Sequence, residues 1–77
     1  MLMGKRVIES VDIRAIRAFR LDAKLTQKAA ATKATMTLGV YQKIESGETA
    51  NPGVLPLGKV CHALGVQLME VLKTANP

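Results

Sequence analysis

Apolar residues recur every three or four positions along most of the chain, which is the spacing of helices that bury one face. Short polar breaks divide this pattern into segments, and the breaks carry the residue types that start and stop helices. The predicted helices cover residues 11–23, 27–34, 38–46, 54–64 and 68–72. We therefore expect an all-α fold, a compact bundle of five helices.

The predicted helix boundaries rest on capping residues. Ser10, Thr26 and Thr37 suit N-cap positions, because a hydroxyl oxygen can accept a hydrogen bond from a backbone N–H of the first turn. Asp12 then falls in the first turn of helix one, where its charge suits the helix dipole. Gly47 ends helix three, since glycine readily adopts the left-handed backbone of a helix C-terminus.

The remaining segments are connections and chain ends. Residues 1–9 lack a helical period and are predicted as an N-terminal arm or a short strand, and residues 74–77 as a C-terminal tail. An Asn-Pro pair marks the segment 48–53 as a loop. Residues 10–73 then form one domain, because 77 residues are too few for two.

The charge balance favours a polyanionic partner. Eleven Lys and Arg residues against six Asp and Glu give a net charge of +5, although solubility alone could account for a charge of this size. The two aromatic residues, Phe19 and Tyr41, are too few to stack a series of bases, which disfavours single-stranded nucleic acid. Charge by itself does not decide between DNA binding and solubility.

The sequence lacks the combinations of residues that catalysis, a metal site or a cofactor site would need. Cys61 and His62 are adjacent, but the further ligands of a zinc site are absent, and Cys61 is predicted as a small buried hydrophobe. A single histidine and no Gly-rich phosphate loop leave neither a catalytic set nor a cofactor site. We expect no enzyme activity, no metal and no cofactor.

The sequence also carries no recognisable membrane-spanning segment or signal peptide. No apolar run approaches the ~20 residues of a membrane span, and the basic N-terminus lacks the apolar stretch of a signal peptide. A lone cysteine fits a reducing compartment. We expect a cytoplasmic, nucleoid-associated protein.

Helices two and three are short and joined by a tight turn, the arrangement of a helix-turn-helix unit. The segment from residue 20 to residue 47 resembles the phage-repressor and Cro class, often called XRE-type, without a gap. The residues that carry the resemblance are Leu25-Thr26-Gln27, Ala31, Ala34, Thr37 and Lys43-Ile44-Glu45-Ser46-Gly47. When differences in loop length are allowed, the resemblance extends over residues 13–72. It implies a lambda-repressor-like domain that binds double-stranded DNA.

Helix three is the predicted recognition helix. Tyr41 and Ile44 lie three residues apart and should face the core. The opposite face can then lie in the major groove, with its N-terminal residues nearest the base edges. The residues expected to contact bases are Leu38, Gly39, Val40, Gln42 and Lys43.

The resemblance further implies contacts to the DNA backbone. Residues matching the family's phosphate-contacting positions are Thr26, Gln27, Thr37 and Ser46. Gln27 should be helped by the backbone N–H groups at the start of helix two. Arg20 and Glu45 match a pair that joins helix one to helix three in the family and orients the recognition helix from behind.

The sequence departs from the family pattern in three places. Thr35 occupies the turn position that usually holds glycine, so a left-handed backbone there would carry strain of ~1 kcal/mol or more. Ala30 replaces a large apolar residue, and Tyr41 opposite could fill the space. Leu38 and Gly39 stand where many relatives carry polar side chains, which would give DNA shape a larger share of the recognition.

The other basic residues have two interpretations. Arg14 and Arg17 on helix one are interpreted as surface charge rather than DNA contacts. Lys5 and Arg6 could reach into the minor groove as an arm, but a solvated terminus is the favoured interpretation.

The leading functional hypothesis is a transcriptional repressor that acts on its own operon and binds a palindrome as a homodimer. The dimer surface could be the loop 48–53 with the start of helix four, or helix five. An antitoxin bound to a toxin protein is one alternative, although few residues follow helix five to wrap a toxin. A protein-interaction module with incidental charge is the other.

Overall fold

The computed structural model describes residues 7–49 and 52–75. Within this part the elements in chain order are strand β1 (Val7–Val11), helices α1 (Ile13–Asp22), α2 (Gln27–Lys33), α3 (Leu38–Ser46) and α4 (Val54–Leu64), a 3-10 helix (Leu68–Val71) and strand β2 (Leu72–Ala75). The two basic residues of the predicted arm, Lys5 and Arg6, lie outside the described residues.

The helical fold class is confirmed, but the structure has four α-helices in its described part where the sequence predicts five. The predicted fifth helix is a single 3-10 turn, and the backbone becomes extended at Leu72. Val11 pairs with Leu72 in the antiparallel sheet, and the backbone N–H of Asp12 donates to the carbonyl of Val71 at 2.7 Å. This pairing with a distant segment stabilises an extended backbone over the helix that the local apolar pattern favours.

The strand pair reaches into both predicted chain ends. Val7 pairs with Ala75, and the register shifts between Ile8 and Ser10. The sheet therefore extends the folded unit into residues 7–9 of the predicted arm and residues 74–75 of the predicted tail.

Most of the predicted caps are present. Thr26 Oγ1 accepts from the backbone N–H of Ala29 at 3.0 Å, and Thr37 Oγ1 accepts from that of Val40 at 3.3 Å. The prediction that Ser10 caps helix one is wrong, because Ser10 lies in β1. Asp12 is the N-cap, and its Oδ1 accepts from the backbone N–H of Ala15 at 3.2 Å.

The core is built from one face of each helix. Its buried apolar residues are Ile16, Ala30, Ala31, Ala34, Tyr41, Ile44, Leu57, Val60, Cys61, Ala63, Leu64 and Val71. The alanines of α2 permit close packing against α3, and Ala30 and Tyr41 are both fully buried in the same core. Cys61 is buried as predicted, and burial raises the pKa of its thiol. The core therefore fixes which face of α3 remains open to solvent.

The turn between α2 and α3 contains the predicted strained residue. Thr35 has φ +59°, in the left-handed region. The turn is closed by a bond from the backbone N–H of Met36 to the carbonyl of Ala31 at 3.0 Å, and by one from Thr35 to Thr32 at 3.1 Å. These two bonds form a helix-terminating motif that normally places glycine at this position.

Thr35→Gly is therefore expected to raise the free energy of unfolding by about 0.5–1 kcal/mol. The change removes the strain of a β-branched side chain in a left-handed backbone. We expect this gain to exceed the free-energy cost of glycine, whose unfolded chain has the larger conformational entropy. Thr32→Gly is the matched control, because Thr32 is exposed and helical, and this change should lower stability by about 0.5 kcal/mol. Urea denaturation measures both, and equal losses would contradict strain at Thr35.

Candidate nucleic-acid interface

Helix α3 presents one face to solvent and buries the other. Tyr41, Ile44 and Glu45 are buried. All five positions that we predict for base contact are exposed, namely Leu38, Gly39, Val40, Gln42 and Lys43. The interface of α3 with α1 and α2 thus leaves the predicted reading face uncovered.

Gly39 is an open position on this face. A Cβ added there would meet no atom within 4 Å, so the fold itself does not require glycine at this point. Because Gly39 lies in the first turn of α3, the free space is at the end of the helix that is expected to lie nearest the bases.

The structure brings Arg20 and Glu45 together. Arg20 Nε lies 2.6 Å from Glu45 Oε2, and Arg20 Nη2 lies 3.1 Å from Glu45 Oε1. The third guanidinium nitrogen, Nη1, donates to the carbonyl of Leu25 at 2.9 Å. This two-pronged ion pair is buried and joins α1 to α3, with a further bond to the segment before α2.

Glu45 receives hydrogen bonds from three side chains. Besides the two from Arg20, its Oε2 accepts from the Tyr41 hydroxyl at 2.8 Å and its Oε1 accepts from Gln27 Nε2 at 2.9 Å. Burial alone would raise the pKa of Glu45, but the hydrogen bonds from Arg20, Gln27 and Tyr41 outweigh it and hold the pKa below its ordinary value. The carboxylate therefore stays ionised, and its hydrogen bonds join α3 to α1 and α2.

The other two ionisable partners respond to the same carboxylate. The hydrogen bond to Glu45 raises the pKa of Arg20, so the guanidinium remains charged. Burial, and then the hydrogen bond to Glu45, raises the pKa of Tyr41, so its hydroxyl remains a donor. Tyr41 is predicted from the sequence only as a core residue, although its spacing of four residues from Glu45 on one helix is a usable signal for the contact.

Gln27 links this buried cluster to the exposed face of α3. Its Nε2 donates to Glu45, while its Oε1 accepts from Gln42 Nε2 at 3.1 Å. The carboxamide is therefore held in one orientation, and Gln42 on the predicted reading face is held by it. The two glutamines are 15 residues apart on different helices, so no local pattern could have indicated this contact.

The hydroxyl groups predicted to contact phosphates lie at the surface. Thr26 and Thr37 are exposed, and each hydroxyl oxygen already accepts the capping bond of its helix, which leaves the O–H free to donate. Ser46 is also exposed, and its hydroxyl donates to the carbonyl of Lys43 at 3.3 Å. All three hydroxyl groups are thus accessible from solvent.

Neither a metal site nor a membrane span is found in the described part of the chain. No group of three or more His, Cys, Asp or Glu side chains in residues 7–49 and 52–75 is placed to hold a metal ion. None of the helices described for this chain is both long and apolar enough to cross a membrane.

Comparison with known proteins places the chain in a family. The sequence profile of the helix-turn-helix family matches residues 16–71. Among solved structures, the clp gene regulator ClgR from C. glutamicum is similar, with a TM-score of 0.68 and 29% sequence identity over 75% of this chain and 74% of that chain. No curated protein sequence gives a significant match. The chain belongs to the XRE-type helix-turn-helix family, whose members are DNA-binding transcription regulators.

Proposed function

We propose that this protein is a repressor that binds a palindromic operator in double-stranded DNA as a homodimer and regulates its own operon. The observation that carries the proposal is the exposed face of α3, which three hydrogen bonds to Glu45 from Arg20 on α1 and Gln27 on α2 hold in a fixed orientation. A helix held this way is preorganised for the major groove, so little ordering entropy is lost on binding. The similarity to ClgR, which is named as a gene regulator, supports a role in gene regulation.

The exposed residues of α3 would read the base edges. Lys43 can donate to guanine O6 and N7, and Gln42 can bond adenine through its carboxamide. Leu38 and Val40 offer apolar contact to thymine methyl groups, while Gly39 lets the backbone approach closely. With two polar readers among these positions, DNA shape would carry part of the specificity.

Neutral donors around α3 would fix the position of the protein on the DNA backbone. We assign this role to Thr26, Gln27, Thr37 and Ser46. Thr26, Gln27 and Thr37 each have a donor hydrogen that the protein's own hydrogen bonds do not use, and the Ser46 hydroxyl could exchange its long 3.3 Å bond to the carbonyl of Lys43 for one to a phosphate. Such contacts set the register of the recognition helix without reading sequence.

The dimer surface that the structure favours is the start of α4. Val54 and Leu55 are 71% and 79% exposed there, and they adjoin each other. The segment predicted as helix five presents less exposed apolar surface. Among its described residues, Met69 is the exposed large apolar side chain, at 48%. Adjacent exposed apolar side chains are typical of a surface that a partner covers. Two copies would have to place their α3 helices about 34 Å apart to reach successive major grooves.

Selection from a random duplex pool, followed by footprinting and native mass measurement, tests the proposal. We expect a palindrome whose half-site centres are about 10 bp apart, occupied by two chains. One chain per fully occupied site would contradict the dimer. Failure to enrich any duplex would contradict DNA recognition and favour a protein-interaction module.

Lys43→Ala is expected to weaken binding to the selected operator by about 1–3 kcal/mol for each guanine that Lys43 reads, with less effect on a scrambled duplex. Lys59→Ala is the control, because Lys59 is also exposed but lies on α4. A mobility-shift titration of both variants on both duplexes measures the difference. Equal weakening on operator and scrambled DNA would assign Lys43 to a phosphate instead.

A further inference from the structure

A polar cleft of about 370 Å³ lies beside the exposed face of α3, and the described residues leave it open to solvent. Its lining residues are Arg17, Arg20, Gln27, Glu45 and Ser46. We infer that this cleft binds a phosphate of the DNA backbone and that Arg17 supplies the positive charge. The inference rests on the proposed DNA binding, and it gives Arg17 a role other than the surface charge that the sequence suggests.

The charges of the cleft leave one cation available. Arg20 and Glu45 form a buried ion pair, so their charges are mutually neutralised. Arg17 is exposed, and it forms no ion pair with an acidic side chain in the described part of the chain. The cleft therefore has a net positive charge that matches one phosphate diester.

Two hydrogen-bond donors face the same space. Gln27 uses one of its two amide N–H groups for Glu45, and the other has no partner among the described residues. Because Gln42 holds the amide oxygen, the nitrogen side of the group stays on the Glu45 side, in the cleft. The Ser46 hydroxyl donates a long bond of 3.3 Å to the carbonyl of Lys43 and accepts one of 3.3 Å from the backbone N–H of Glu48, and a charge-assisted bond to phosphate could replace the donated one.

The position of the cleft favours DNA as the source of the phosphate. Gln27 bonds directly to Gln42, so the cleft adjoins a residue proposed to touch bases. Ser46 lies one turn after Gln42 and Lys43 on the same helix. A strand whose bases meet the start of α3 can therefore pass its backbone over the cleft, with Arg17 on α1 on its far side.

Arg17→Ala with Arg14→Ala as its matched control tests the inference. Both arginines are exposed and lie on α1, three residues apart, but Arg14 does not line the cleft. Arg17→Ala should reduce affinity for operator and scrambled duplexes alike, by roughly eightfold per protomer at 0.1 M salt, and reduce the magnitude of the log K against log salt slope by about 0.9 per protomer. Arg17→Lys should restore most of the slope, and Arg14→Ala should change it little.

A duplex series in which single phosphates are replaced by neutral methylphosphonates identifies the source of the anion. At one phosphate per half-site, the replacement should weaken the wild-type protein but not weaken Arg17→Ala further. Additive losses at every position, or equal effects of Arg17→Ala and Arg14→Ala, would overturn the inference while leaving the proposed function intact. A wild-type protein that binds no duplex would overturn both.

Discussion

Glu45→Ala is expected to lower the free energy of unfolding by about 3–5 kcal/mol, because it leaves the buried guanidinium of Arg20 without its anion. The same change removes the acceptor of the Tyr41 hydroxyl and of the Gln27 amide. The free energy of unfolding of a domain of this size is small, so the variant should be largely unfolded at moderate temperature. Thermal and urea denaturation followed by circular dichroism measure the loss.

The control for this change is Glu48→Ala. Glu48 is exposed and follows α3 by two residues, so its loss should alter stability by no more than about 0.5 kcal/mol. Arg20→Met should destabilise strongly on its own, and the double variant should lose less than the sum of the two single changes. Purely additive losses would contradict an energetic coupling between Arg20 and Glu45.

The acid dependence of stability gives a second measure of the same carboxylate. The folded state holds the pKa of Glu45 below its ordinary value of 4.5. Its contribution to stability is therefore fully present above that value and is lost as the pH falls through the folded pKa. Glu45→Gln should remove this part of the acid sensitivity, and an unchanged acid profile would contradict it.

Raising the salt concentration from 50 to 200 mM is expected to weaken DNA binding about 60- to 250-fold. This range follows from about four neutralised phosphates per dimer, which give a slope of log K against log salt near −3 to −4. The net charge of +5 per chain and the exposed cation Arg17 would supply the positive charge for these contacts under the proposed function. Fluorescence anisotropy with a labelled duplex measures the slope.

The scrambled duplex is the control for the salt titration. Phosphate contacts are independent of sequence, so the slope should be similar for operator and scrambled DNA even though their affinities differ. A flat response across this range would exclude binding through the backbone. A steep slope on the operator alone would indicate that the backbone contacts depend on recognition of the bases.

The parts of the fold that depend on local chemistry could be predicted from the sequence. Thr26 and Thr37 cap their helices as expected, and Gly47 has the left-handed backbone, φ +84°, that its position after α3 predicts. Each depends on residues within one helical turn. The strain at Thr35 is predictable for the same reason, because the turn position itself demands a positive φ.

The parts that depend on distant segments could not be predicted in the same way. The apolar spacing of residues 68–72 is compatible with a helix, and only the presence of β1 makes a strand from Leu72 onward the better state. The contact between Gln27 and Gln42 joins two helices and has no signature in either. Arg14 and Arg17 are also indistinguishable by sequence, because only the fold shows which of them borders the cleft.

The open space at Gly39 bears on how such a protein can evolve. A glycine within a helix costs about 0.5–1 kcal/mol relative to alanine, and no neighbouring atom occupies the position of the missing side chain. Alanine introduced there would strengthen α3, and under the proposed function a side chain at this position would project toward the bases. Mutation at this one codon could thus redirect the protein to a new DNA site while also making it more stable, so that a change of target would not require a compensating change elsewhere.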